Sequence, residues 1–204
     1  MEEKRYVGLD VHKYFVVAAA VNATHEVVLR PQRVNLTAFP AWARKHLRPS
    51  DEVALEATGN AWYVYDLLEP LVSRVVVSVT QQIKLIAAAM VKTDRKDALT
   101  LARLLAVNII PAVWVPPLPV RDLRALISHR QRLVQEQTRL KNRLHSVLHR
   151  QQVVPPKGEV FAQVNRPWWL ALNLPSGEKL RLRQDLSQLE QVAVLIAEVD
   201  SELQ

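Results

Sequence analysis

Tyr6-Val-Gly-Leu-Asp10-Val-His-Lys13 is an apolar run broken by one acid and closed by a polar pair. Its composition and length predict a β-strand over 6–9 that gives way to a turn, with a carboxylate at the strand's end. A second short run, Val53-Ala-Leu-Glu56-Ala-Thr58, also ends in an acid. Burying a charge there without a partner is unfavourable, and the carboxyl ends of strands are where open α/β sheets build their sites. In Lys92-Thr-Asp94-Arg-Lys-Asp97-Ala98 two further acids stand three residues apart at a predicted helix start, so both project from one face. Asp10, Glu56, Asp94 and Asp97 are thus candidate ligands for Mg²⁺ or Mn²⁺, hard ions that take oxygen donors. Helix capping and the helix dipole also favour Asp at 94 and 97, so the argument rests on the four acids together.

Outward from these blocks, the chain predicts strands over 6–9, 15–21 and 26–34 with tight connections, an antiparallel meander. A helix follows over 37–47, with Trp42, Ala43 and Leu47 at helical spacing, and ends at Arg48-Pro49-Ser50. The strand over 53–57 leads through Thr58-Gly59-Asn60 into a helix striped by Trp62, Tyr65, Leu68 and Leu71. A strand over 74–79 and helices over 81–90 and 94–107 complete an α/β order with five strands, a mixed sheet.

Composition narrows the function classes. The 204 residues fit one fair-sized domain with an appendage, or two small ones. Without cysteine there are no disulfides and no thiolate metal sites. Glycine stands at 8, 59, 158 and 177, too sparse for a glycine-rich phosphate loop. The acidic start Met1-Glu-Glu-Lys is unlike a signal peptide, and the longest apolar stretches, 15–21 and 85–91, fall short of the ~20 residues that span a bilayer. A cytoplasmic protein is the expectation. The net charge of +7 is concentrated in 118–150, where eight Lys and Arg face two acids. That is the footprint of phosphate-backbone binding, or of a solvated helix face.

After Ile110-Pro-Ala-Val-Trp-Val-Pro-Pro117 the pattern changes. Leu123, Leu126, Leu133, Leu140, Leu144 and Val147 recur at spacings of three and four, with Arg130 and Gln137 in the intervening seam positions. Leu186, Leu189, Ala193, Ile196 and Leu203 make a second stripe. The predicted organisation is a domain over 1–110, a proline-rich linker over 111–117, and a helical coiled-coil region over 118–204. Within that region the basic helix covers 118–150 and a second helix about 182–204. The two helices can pair within one chain or between two; because one intramolecular pairing need not cover both seams, a homo-oligomer, a dimer or a dimer of dimers, is the expectation. His145 and His149, four apart, lack an evident third ligand for zinc. Trp168 and Trp169 suit base stacking or, more commonly, the anchoring of an irregular segment.

Acids after the first strand, after the fourth and on the late helix resemble the ribonuclease-H-like fold of RuvC-like nucleases. The blocks Gly8-Leu-Asp10-Val-His-Lys13, Leu55-Glu56-Ala-Thr-Gly59 and Lys92-Thr-Asp94-Arg-Lys-Asp97-Ala98 resemble the signature of the DEDD insertion-sequence transposases. That family includes bridge-RNA-guided recombinases and related DNA invertases. The resemblance implies a catalytic and metal-binding tetrad of Asp10, Glu56, Asp94 and Asp97, DNA as substrate and a structured guide RNA as partner. Family members continue into a carboxy-terminal domain with a serine nucleophile, which is expected to be absent here, leaving a fragment inactive on its own. The candidate nucleic-acid contacts are His12, Lys13, Arg95 and Lys96 beside the acids, and Arg130, Arg139 and Arg143 on the basic helix. A resolvase-like nuclease and a noncatalytic dimerising nucleic-acid-binding fragment are the alternatives; metal-dependent cutting by the isolated chain separates the first from a recombinase.

Overall fold

The computed structural model describes residues 4–79 and 94–204 and divides into two units, Met1–Val115 and Pro116–Gln204. The first unit contains, in chain order, β1 (Arg5–Val11), β2 (Phe15–Asn22), β3 (Val27–Asn35), α1 (Phe39–His46), β4 (Glu52–Glu56), α2 (Ala61–Leu68), β5 (Arg74–Ser78) and α3 (Asp94–Ala106). Among the described residues they form a five-stranded sheet in the order β3-β2-β1-β4-β5. The meander β1–β2–β3 is antiparallel, whereas β4 and β5 run parallel to β1. This is the mixed sheet of the ribonuclease-H-like class, as expected. The helix predicted over 81–90 lies outside the described residues.

Alternation along the strands sorts the two faces of the sheet. Val7, Leu9, Val16, Val53, Leu55 and Val77 bury one face against Phe39 and Ala43 of α1 and Ala61, Val64 and Leu68 of α2. The opposite face carries Val17, Ala19, Ala54 and Val76, and α3 covers it with Ala98, Leu101 and Leu105. Small residues here let helix and sheet approach closely. An ideal Cβ built on Gly8 would lie 1.9 Å from the Ala98 carbonyl oxygen and 2.6 Å from the Ala102 nitrogen. Glycine at this position is therefore what seats α3 on the central strand.

Two differences from the sequence reading concern the acid end of β1 and the edge of the sheet. Strand β1 runs to Val11 rather than Leu9, because Asp10 and Val11 still pair with Val17 and Val16 of β2. Asp10 thus sits inside the strand. Residues at the start of the predicted linker lie along the edge of β5: Ser78 bridges Ala112, Val113 N donates to Val77 O at 2.8 Å, and Ser78 Oγ donates to Pro111 O at 2.9 Å. Unpaired backbone groups of the edge strand are satisfied in this way.

The second unit is helical, with α4 (Leu118–Arg150), a 3₁₀ turn (Gln163–Asn165), α5 (Arg166–Ala171) and α6 (Ser176–Glu202). Helix α6 starts six residues before the predicted 182, because Pro175 precedes rather than breaks it and accepts from Lys179 N at 2.9 Å. Helices α4 and α6 lie antiparallel within one chain. Arg143 meets Asp185 at 3.3 Å and Arg150 meets Glu178 at 3.2 Å, so partners descend along α6 as they ascend along α4. Leu140, Leu144, Val147 and Leu148 pack with Leu182, Leu186, Leu189 and Val192. The α6 seam uses Val192 in place of Ala193, which is exposed. Trp169 is buried and its Nε1 donates to Val160 O at 2.9 Å, so it anchors the irregular segment 151–175. Among the described residues no helix is long and apolar enough to cross a membrane.

Candidate metal centre and nucleic-acid surface

The parallel register of β1 and β4 pairs Leu9 with Leu55. Both leucines point into the core against α1 and α2, so the next residues, Asp10 and Glu56, turn to the opposite face on adjacent strands. Glu56 in turn pairs with Ser78 of β5. The face that receives the two acids is the one that α3 covers, and the close approach of Gly8 to Ala98 and Ala102 fixes the helix there. Asp97 immediately precedes Ala98, which packs with Val17 and Ala19, and Val17 is the β2 partner of Asp10. The first turn of α3 therefore rises beside the row that holds Asp10.

The loops at this end are tied together. Thr58 Oγ1 lies 3.5 Å from Val11 O, and Asn60 Nδ2 donates to His12 O at 3.1 Å and to Lys13 O at 3.2 Å. Asp10 is partly buried and its Oδ2 lies 2.9 Å from His12 Nε2. Lys13 Nζ sits 5.0 Å above the ring of Tyr14, itself 70% exposed. The side chains of Asp94, Arg95 and Lys96 lie outside the described residues, although α3 begins at Asp94. Among the described residues no three His, Asp or Glu side chains come together as a metal site.

The three arginines singled out on α4 each face an acid. Arg130 bonds Asp200 through Nε and, at 3.2 Å, through a terminal nitrogen. The hydrogen bond from Arg130, with its charge, holds the Asp200 carboxyl below its usual range. Arg139 lies 3.3 Å from Glu136, and Arg143 reaches Glu136 at 3.5 Å and Asp185 at 3.3 Å. Arg130 thus completes the α4–α6 seam that the sequence left polar. The pairing was invisible in sequence because Asp200 is 70 positions away.

Sequence reasoning also passed over residues that build the site's frame. Gly8 carries a packing role that no sequence pattern signals, the close approach of α3 to β1. Phe15 and Arg33 flank the acid end in the fold: His12 stacks on Phe15 at 4.3 Å between ring centroids, and the Arg33 guanidinium lies 3.7 Å from the Phe15 centroid. Period-two alternation across a three-residue hairpin was the available signal for the first of these contacts.

The family model for IS110-type DEDD transposases, described as Transposase, matches residues 7–152. The chain belongs to that family. No curated protein matches it. The matched span of this transposase contains Asp10, Glu56, Asp94 and Asp97 and the whole of α4. Its fold and family agree with the resemblance carried by the three acid-bearing blocks, and transposition of DNA is its coarse function.

Proposed function

We propose that the first unit is the metal-dependent part of a phosphoryl-transfer centre acting on DNA, with Asp10, Glu56, Asp94 and Asp97 as ligands of Mg²⁺ or Mn²⁺. The observation that supports this most is the placement of Asp10 and Glu56, one step beyond the Leu9–Leu55 pair of two parallel strands, on the face covered by α3. The donor set fits the ion: four carboxylates and no thiolate suit a hard cation that retains waters. Such an ion, when bound, orients phosphate and stabilises the charge that develops on attacking and leaving oxygens. The chain's own residues do the rest. Asp10 and Glu56 are held by the sheet, Asp97 by a helix that the sheet seats, and Lys13, Arg95 and Lys96 supply cations beside the acids for flanking phosphates.

Calorimetric titration with Mn²⁺ tests the centre. Asp10→Asn combined with Glu56→Gln loses saturable binding in the millimolar range, and its metal-free form gains stability as repulsion among the acids is relieved. Equal affinity in the double variant overturns the assignment.

For nucleic acid, DNA or a structured guide RNA, the surface is the exposed side of α4. Arg139 and Arg143, 69% and 49% exposed and held to their acids at 3.3–3.5 Å, are stronger phosphate candidates than Arg130, which bonds Asp200 through two nitrogens. Replacing Arg139 and Arg143 by Gln reduces the slope of log affinity against log salt by up to about one per lost contact, and replacing Arg130 changes it less. Fluorescence anisotropy over a salt series reads this. An unchanged slope in the double variant assigns the face to solvent.

A further inference from the structure

A carboxylate on a short side chain turns about a broad terminal torsion, so a metal centre built on it requires something to aim it. In this chain the means is a row of side chains running across three strands. His12 Nε2 lies 2.9 Å from Asp10 Oδ2. An ionised carboxylate only accepts, so Nε2 carries the hydrogen and donates it. The imidazole is itself held. It stacks on Phe15 with centroids 4.3 Å apart and planes 20° from parallel. The Arg33 guanidinium lies 3.7 Å from the same centroid, and one face cannot hold both groups, so the phenyl ring sits between them. Backbone bonds fix the turn: His12 N donates to Phe15 O at 2.9 Å, and the Asn60 side chain donates to His12 O at 3.1 Å.

We propose that His12 is a positioning residue for Asp10, fixing the orientation of its carboxylate through Oδ2, and that the Phe15–Arg33 stack holds His12. With Nε2 engaged by Asp10, His12 serves the acid and not a DNA phosphate. The neighbouring Lys13, the last residue of the same polar pair, retains the phosphate role. The proposal rests on the reading of Asp10 as a metal ligand, and the experiment separates the two.

Mn²⁺ affinity of the full chain is measured by electron paramagnetic resonance of the unbound ion, with circular dichroism melts as a check on folding. Groups that orient a metal's ligands typically contribute 10–100-fold to affinity, so His12→Ala weakens Mn²⁺ binding by about that factor. His12→Gln, whose amide nitrogen donates from a similar reach, recovers most of the loss, and Phe15→Leu gives a smaller weakening of the same kind. DNA affinity in EDTA keeps its salt slope in His12→Ala. Wild-type Mn²⁺ affinity in His12→Ala, no recovery in His12→Gln, or a salt slope lowered by about one each overturns the positioning role. Asp10→Asn is the control for the underlying reading. If it binds Mn²⁺ as wild type does, Asp10 is no ligand and both readings fall; if it loses the ion while His12→Ala keeps it, the positioning role alone falls.

Discussion

Gly8→Ala lowers the stability of the first unit by about 3 kcal/mol and weakens Mn²⁺ binding in the molecules that remain folded. Two opposed effects decide the sign. Alanine restricts the unfolded chain and stabilises by roughly 0.4–1 kcal/mol where its backbone conformation is tolerated. Against that, the added methyl group would stand 1.9 Å from a backbone carbonyl of α3 and 2.6 Å from a backbone nitrogen. Neither atom is a flexible side-chain tip, so the whole helix must move, and overpacking of this kind costs typically 1–3 kcal/mol or more. Helix α3 carries Asp94 and Asp97 in its first turn. A displacement of about 1 Å suffices to cost on the order of a hundredfold at a reacting centre. Urea denaturation and Mn²⁺ titration of the same preparation read both consequences. A variant as stable as wild type would show that α3 is not seated on Gly8 in solution.

The second large effect comes from an acid at the opposite end of the sheet. Asp51 is fully buried, and it accepts from Arg5 Nε at 2.9 Å, from a terminal Arg5 nitrogen at 2.7 Å and from Arg48 N at 2.9 Å. Arg5 also donates to His46 O at 2.8 Å, so the pair joins the start of β1, the end of α1 and the approach to β4. Asp51→Ala leaves a nearly buried guanidinium without its counter-charge and costs about 3–5 kcal/mol. Replacing Arg5 and Asp51 together by Met and Leu costs less than Asp51→Ala alone, because no orphaned charge remains. Mn²⁺ affinity per folded molecule stays at the wild-type value in both. The contrast with Asp10→Asn separates an acid that holds the fold from one that serves the site, and a double variant no more stable than Asp51→Ala would refute the ion-pair account.

Much of this arrangement was legible in the sequence because two periodicities carried it. Val-rich alternation located the strands, and an acid closing an apolar strand marked Glu56, because such a residue is unfavourable in a core and natural at a strand's carboxyl end. Asp51 carried the opposite signal. It follows Pro49-Ser50, a context in which an acid is ordinarily a solvated turn residue, and its partner Arg5 lies 46 positions away. The same distance problem hides the Arg130–Asp200 pair, in which an arginine expected to meet phosphate also bonds an acid on α6. The start of α6 was misplaced by a local rule: Pro175-Ser-Gly177 resembles a break, yet a proline before a helix and small residues in its first turn are compatible with a start. What sequence pattern cannot supply is approach distance, and the seating of α3 on Gly8 is entirely a matter of approach.

The central position of β1 also sets an order of events during synthesis. Its antiparallel neighbour β2 is complete by Asn22, but its parallel neighbour β4 is not made until Glu52–Glu56 have emerged. In that interval the edge of β1 that β4 will occupy, on a strand that carries Val7, Leu9 and Val11, leaves its backbone donors and acceptors open. An open apolar edge invites pairing with another growing chain. Arg5 and Asp10 stand near the two ends of that edge with opposite charges, the arrangement by which flanking charged residues discourage aggregation. Asp10, the residue proposed as a metal ligand, thus also stands where a charge protects an unfinished sheet while the ribosome is still at work.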